Sequence, residues 1–423
     1  MKRILIVDHP QFTSATYYLW QGLKELEERF PEQLSVSCYP YIPTNYDDDK
    51  FDLRDLPWFN WLDELVEKSK RNAAELPPGI PPFQADERLT SRAETFMMRG
   101  AAWRKFEKRS ILADEDAAVA ALKRGEFDLV VLGNSHRVPT ILLARLKERV
   151  SPFPPVVYFD AGERDELNEH WIHVFRPDLV FKQILTPEVK KKGLSVQIPG
   201  YKLRMYPLPL SSPIVDQEDA SVEGLSFQWL RKNSLTSVKL LQVFYALGNT
   251  WPEREEVIKA LDAVVLKKNI DRIKNCSYLN YNIVMAKSRM AVTMRGSGRD
   301  TNHYWEIPLY ATAMICDGTM GCIHPYPFED RKTAIFYRSV PELVMLAERY
   351  LSDSPEAALE LYKVALAGQA HLKQYHSTEA RAVFFLDILN QELEFLDHGL
   401  LGALASWKVE KRWDGRPWEG PVV

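Results

Sequence analysis

Arg295-Gly296-Ser297-Gly298-Arg299-Asp300-Thr301-Asn302-His303-Tyr304-Trp305-Glu306 opens a stretch that runs on to Asp317 and follows the apolar run Arg289–Met294. An apolar run, a glycine turn and a helical segment in that order spell strand, tight loop and helix, the unit from which parallel α/β sheets are built. Gly296 and Gly298 lack a Cβ, so the backbone there can approach an anion and offer its N–H groups. Asp300 or Thr301 is placed to cap the helix, whose N-terminal end carries partial positive charge. Arg295 and Arg299 flank the turn with guanidinium groups suited to clamping a diphosphate. Glu306 falls about a turn and a half into the helix, within reach of a ribose diol. The pattern is not a full dinucleotide fingerprint, because the third glycine position of G-x-G-x-x-G is Thr301.

Working outward, the same strand-then-helix alternation recurs along the chain and predicts an α/β fold with parallel sheets covered on both faces. Arg3–Asp8, Leu34–Tyr39, Phe127–Gly133 and Pro155–Asp160 are short apolar runs, and Tyr17–Phe30 has helical spacing. Open sheets bind ligands at the carboxyl ends of their strands, which gathers His9, Asn134, Ser135, His136, Asp160 and Glu163 at one rim. Lys182 ends another such run and is read as structural. Residues 40–113 depart from the alternation and read as an insertion, with a solvated acidic loop at Asp47-Asp48-Asp49 and a basic helix near 87–110. A break around 210–224 divides an N-terminal domain, 1–212, from a C-terminal domain, 225–390, and residues 391–423 form a tail.

Composition fits a large enzyme: 423 residues, 46% hydrophobic, 26% charged, net charge −4. No apolar run reaches the roughly 18 to 20 residues that span a bilayer, and the N-terminus leads straight into a strand, so a cytoplasmic protein is expected. Cys38, Cys276, Cys316 and Cys322 are too few and scattered for a disulfide framework and read as reduced core thiols. The mildly acidic balance and the lack of a basic-aromatic motif disfavour nucleic acid as a partner.

The elements Arg295-Gly296-Ser297-Gly298, Asp300-Thr301, Trp305-Glu306 and Met314-Ile315-Cys316 resemble the nucleotide-sugar-binding element of GT-B glycosyltransferases, in particular the spore-maturation-type group 1 enzymes and the exostosin-like domains. The similarity continues through Phe336, Ser339–Leu343 and Leu351–Pro355 to Gly368, His376 and Arg381. The resemblance implies two Rossmann-like domains with a cleft between them. Residues 1–212 would hold the acceptor, residues 225–390 a nucleotide-diphosphate sugar, and the tail would cross back to the first domain. It implies a metal-independent, hexosyltransferase-like enzyme whose sugar nucleotide is a co-substrate, with no resident cofactor. Gly248, Asn249 and Arg254 would lie over the donor phosphates. Arg295 and Arg299 would stabilise charge on the leaving diphosphate, and Glu306 would hold the ribose. Trp305 or Tyr304 packs against the base or fills the core.

Two departures from the family bear on chemistry and packing. Retaining relatives carry a second Glu eight positions before the ribose Glu, and here that position is Gly298. Retention and inversion therefore both stay open, and His9, His136 and Asp160 are the candidate catalytic bases. Ala311 stands where many relatives have Gly. The alternatives are a GT-B-type sugar-nucleotide epimerase or phosphorylase, and a catalytically inactive scaffold with a binding role.

Overall fold

The computed structural model describes residues 1–8, 14–39, 115–133, 137–162, 164–212, 241–245, 247, 251–268, 285, 288–296, 298–317 and 321–405. The expected insertion over 40–113 lies outside them, as do His9, His136, Gly248 and Asn249. The chain divides into two units, residues 1–208 with 382–408 and residues 209–381 with 409–423.

Unit 1 is built on a six-stranded parallel sheet: β1 (Lys2–Val7), β2 (Leu34–Tyr39), β3 (Leu129–Gly133), β4 (Val156–Asp160), β5 (Leu179–Lys182) and β6 (Met205–Pro207), in the order β2-β1-β3-β4-β5-β6. Every residue of β3, β4 and β5 is buried, as continuous Val/Leu/Phe runs require when helices cover both faces. The sheet grows in one direction from β1 to β2 and in the other from β1 to β3, which puts its topological switch point between β1 and β3. Packing is close there. A Cβ on Gly133 would lie 2.7 Å from Asp8 Oδ2 and from Thr16 Cγ2, so any other residue at the end of β3 would force those side chains to shift.

The helix Thr378–Leu393 runs through the division between the units, which falls at Arg381/Ala382, ahead of the limit at 390 read from the sequence. Its later residues pack on unit 1. The Phe385 ring lies 4.9 Å from that of Phe181, tilted by 46°, and Glu392 accepts hydrogen bonds from the Tyr206 hydroxyl and, at 3.3 Å, from Arg204. These contacts cover the edge at β6, a three-residue strand ending in proline, as an edge position allows.

Unit 2 holds a four-stranded parallel sheet: β7 (Leu241–Phe244), β8 (Ser288–Thr293), β9 (Ala313–Asp317) and β10 (Ile335–Tyr337), in the order β10-β9-β8-β7. Val257, Leu261, Met290, Ile315, Leu343 and Leu361 lie in one core between the sheet and its helices. Two of those helices start on clear local signals. Ser339 Oγ accepts from the Glu342 amide at 3.3 Å and Ser354 Oγ from the Ala357 amide at 3.2 Å, each followed by a proline in the first turn. Gly368 has a different role. A Cβ there would sit 2.5 Å from the Thr333 carbonyl oxygen, so the helix Pro355–Tyr375 can lie this close to the 329–334 turn only with glycine.

Candidate functional site

The turn that follows β8 is held from several sides. Arg254, in the first turn of the helix Pro252–Lys267, is buried and donates Nε to the Arg295 carbonyl at 2.8 Å and Nη2 to the Met294 carbonyl at 3.0 Å. Asp317, the last residue of β9, accepts the Arg295 N–H at 3.2 Å on one oxygen and the Tyr304 hydroxyl on the other. The Arg295 guanidinium lies over the Trp251 indole, 4.0 Å from the ring centroid. Burial pulls Arg254 below its ordinary range, with Tyr304 and Asp317 opposing the shift. Expected over the donor phosphates, Arg254 instead holds two backbone carbonyls beneath the turn.

Other expectations for this stretch change with the structure. The Gly296 N–H is donated to the Gly298 carbonyl at 3.0 Å, so that amide closes the turn rather than facing outward. Asp300 does not cap the helix His303–Leu309, whose N-cap is Asn302 with no side-chain cap bond. The Asp300 carboxylate accepts from the Leu210 amide at 2.7 Å and from the Trp305 indole N–H at 2.8 Å. Both donors are shielded from water, and a buried N–H without an acceptor is costly, so the carboxylate is drawn to them. Glu306 is partly exposed and belongs to the first turn of this seven-residue helix, nearer its start than a turn and a half. Tyr304 and Trp305 are core residues, 0% and 1% exposed. Ala311 has φ 50°, the left-handed region that favours glycine.

Three buried polar atoms of the same loop have no hydrogen-bond partner among the described residues: Arg295 Nε, Thr301 Oγ1 and Asn302 Oδ1. Each such group costs about 1–3 kcal/mol when nothing answers it. A cationic donor, a hydroxyl and an amide oxygen together suit a ligand that carries phosphate and hydroxyl groups. Gly298 and Arg299 lie between these residues, with Arg299 partly exposed.

The downstream Gly368, His376 and Arg381 are structural. The Nε2 atoms of His371 and His376 both approach the Tyr326 carbonyl oxygen, at 2.9 and 2.7 Å. A carbonyl only accepts, so both rings donate Nε2–H, and His376 Nδ1 is the acceptor for Arg381 Nη2 at 2.9 Å. Arg381 Nη2 also donates to the Leu210 carbonyl at 3.2 Å, and the guanidinium lies 5.7 Å from the Trp305 ring centre. Burial pushes Arg381 down to about 10, with Asp300 opposing, and pushes His324 down to about 3 and His376 well below its ordinary value. A small apolar cavity in this core is lined by Trp305, Met314, His324, Phe328 and His376 among others.

In unit 1, Asp160 sits at the carboxyl end of β4, but its oxygens are engaged by Lys182 Nζ at 3.2 Å and by the amides of Gly162 at 3.2 Å and Asn168 at 3.1 Å. Lys182 also donates to the Gly162 carbonyl at 3.3 Å. A buried carboxylate so occupied fixes the loop after β4 and is poorly placed to take a proton from an acceptor, which sets the structure against Asp160 as a base. Lys182 is fully buried in this pairing. Cys38, Cys316 and Cys322 are buried free thiols.

The structure thus gathers Arg254, Arg295, Gly296 and Gly298 at one turn of unit 2, with Arg299 and Glu306 on the segment that leaves it. Sequence reasoning passed over Trp251 and Asp317. The strand-end rule that flagged Asp160 applies equally to Asp317, whereas nothing local marks Trp251 as the partner of an arginine so distant in sequence.

Residues 229–387, a segment that includes the turn and its supports, match the family model described as glycosyl transferase-like. No curated protein matches the chain. Among solved structures, a glycosyltransferase from Rickettsia africae is 10% identical, with 93% of this chain and 99% of that one covered at a TM-score of 0.50. Anabaena Alr3699/HepE, solved with UDP-glucose, is 10% identical over 92% and 100% at 0.46, and a sucrose-phosphate synthase from Thermosynechococcus elongatus is 12% identical over 95% and 100% at 0.45. The fold is α/β with two Rossmann-like units, the GT-B class of glycosyltransferase folds. Among the described residues no helix is long and apolar enough to cross a membrane.

Proposed function

We propose that this protein is a GT-B glycosyltransferase that moves a sugar from a nucleoside diphosphate sugar to an acceptor hydroxyl, with the donor held by residues 209–381. One observation carries the reading. Within the segment that matches a glycosyltransferase-like domain, the turn after β8 presents Arg295 with its backbone fixed and its buried Nε without a hydrogen-bond partner among the described residues. As the glycosidic bond breaks, negative charge grows on the departing diphosphate, and cations fixed in advance stabilise it without reorganising. Arg295 and Arg299 take that role, and Glu306 accepts hydrogen bonds from the ribose hydroxyls. The reaction asks the protein for charge stabilisation by guanidinium groups rather than by a resident metal. The R-G-x-G, D-T and W-E spacing favours the spore-maturation-type group. Of the three bases that the sequence offers for the acceptor, His9, His136 and Asp160, the first two are retained in this reading.

The test is a calorimetric titration of the full chain with UDP, GDP and ADP and their hexose conjugates. At least one nucleoside diphosphate is expected to bind, and Arg295→Ala and Glu306→Ala to weaken it. Absence of binding by every nucleotide, or full affinity in both variants, refutes the reading. Product analysis with and without candidate acceptors separates transfer from epimerisation or phosphorolysis.

A further inference from the structure

Trp251, Arg254 and Asp317 come from the entry to one helix, its first turn and the end of a strand, and all three converge on Arg295. Arg254 takes the Arg295 carbonyl, Asp317 takes its N–H, and Trp251 lies under its guanidinium. We infer that these three residues form a positioning set that presents the Arg295 guanidinium to the diphosphate of the ligand, an inference that rests on the donor reading above.

With both polar backbone groups of residue 295 held by buried charged side chains, the direction in which its side chain leaves the loop is fixed. A free arginine side chain carries about 2 kcal/mol of rotamer entropy, and stacking on an indole removes part of that cost before any ligand arrives. A guanidinium that stacks on an indole uses its face. Its N–H groups lie in the plane and stay available for hydrogen bonds, so the indole and a phosphate do not compete for the same surface. Arg254 contributes a second way. Its charge sits directly beneath the turn, where it adds to the positive potential without touching the ligand.

Two variants of the full chain test this, each compared with wild type in thermal unfolding and in titrations with nucleoside diphosphates and the matching nucleosides. Trp251→Leu keeps apolar bulk and removes the π face, and Trp251→Phe restores an aromatic ring. Trp251→Leu is expected to weaken diphosphate binding by about 5- to 30-fold, the range of a cation–π contact, and to leave nucleoside binding unchanged. Trp251→Phe should recover most of the loss, and Trp251→Leu should add nothing in an Arg295→Ala background. Wild-type diphosphate affinity in Trp251→Leu, or equal losses for nucleoside and diphosphate, overturns the inference while the donor reading stands. If Trp251→Leu does not fold, Asp317→Asn replaces it with the same expected pattern and the same overturning results. If wild type binds no nucleoside diphosphate, the donor reading and this inference fall together.

Discussion

At the end of β4, Asp160 meets Lys182 on the neighbouring strand at 3.2 Å, with both side chains shielded from water. At the end of β9, Asp317 lies beneath the turn after β8 together with Arg254, also buried, and each of the two grips the backbone of Arg295. The two strand ends occupy equivalent places in their sheets, where α/β folds put ligands. In unit 1 the opposite charges answer each other, and the loop they hold is closed. In unit 2 they hold a third charged residue, Arg295, which has no ion pair among the described residues. The comparison teaches that a buried charge at a strand end is not itself the mark of a ligand site; the mark is a charge that its neighbours hold in place without neutralising.

The largest effect expected is at the closed pair. Lys182→Met leaves Asp160 buried without its cation and should remove about 3–5 kcal/mol of stability, read as a shift in the urea midpoint, while adding Asp160→Asn should recover much of it. Recovery to neither side of that contrast, with Lys182→Met as stable as wild type, would break the comparison. Arg295→Ala should do the opposite, changing the urea midpoint little and weakening nucleoside diphosphate binding by about 2–3 kcal/mol, the loss of a charge-assisted clamp. Acid sharpens the contrast further. His324, held down to about 3, and His376, well below its ordinary value, stay neutral in the folded core. The unfolded chain takes up those protons below about pH 6.5, so stability present above that pH is lost as pH falls towards 3. At pH 5 the loss from His324 is about 2 kcal/mol, with His376 adding in the same direction, and thermal melts at pH 7.5 and 5 should show it, with a shallower slope in His324→Phe. The smallest effect is at Ala311, whose φ of 50° glycine adopts without strain. Ala311→Gly should raise the melting temperature by a gain of under about 1 kcal/mol.

The strands were legible because β1, β3, β4 and β5 hold buried apolar runs and β2 alternates apolar with serine, signals that need no partner to be read. The glycine turn and its arginines were legible for the same local reason. Asp300 was not. A cap bond joins residues three apart, but the amide that claims its carboxylate belongs to Leu210, 90 residues away, and only tertiary packing brings that donor near. Trp251 and Arg254 share this difficulty, since their contacts with Arg295 cross between elements. β6 escaped because three residues ending in Pro207 carry no periodicity, and its place is set by the edge of β5.

The network around Arg381 has a consequence for how the chain assembles. Arg381 donates to the Leu210 carbonyl, the Ser212 amide to the His376 carbonyl, and the Thr378 amide to the Ser212 carbonyl. Residues 209–381 therefore leave their fold beside the point at which they enter it. For unit 1, whose chain is interrupted there, the folded segment acts as a short clip in place of a long loop. Loop-closure entropy grows as the logarithm of length, so the clip lowers the cost of bringing residues 382–408 back to 1–208 by about 3 kcal/mol. Once residues 209–381 have folded, docking of the last helices on the first sheet is nearly a local event.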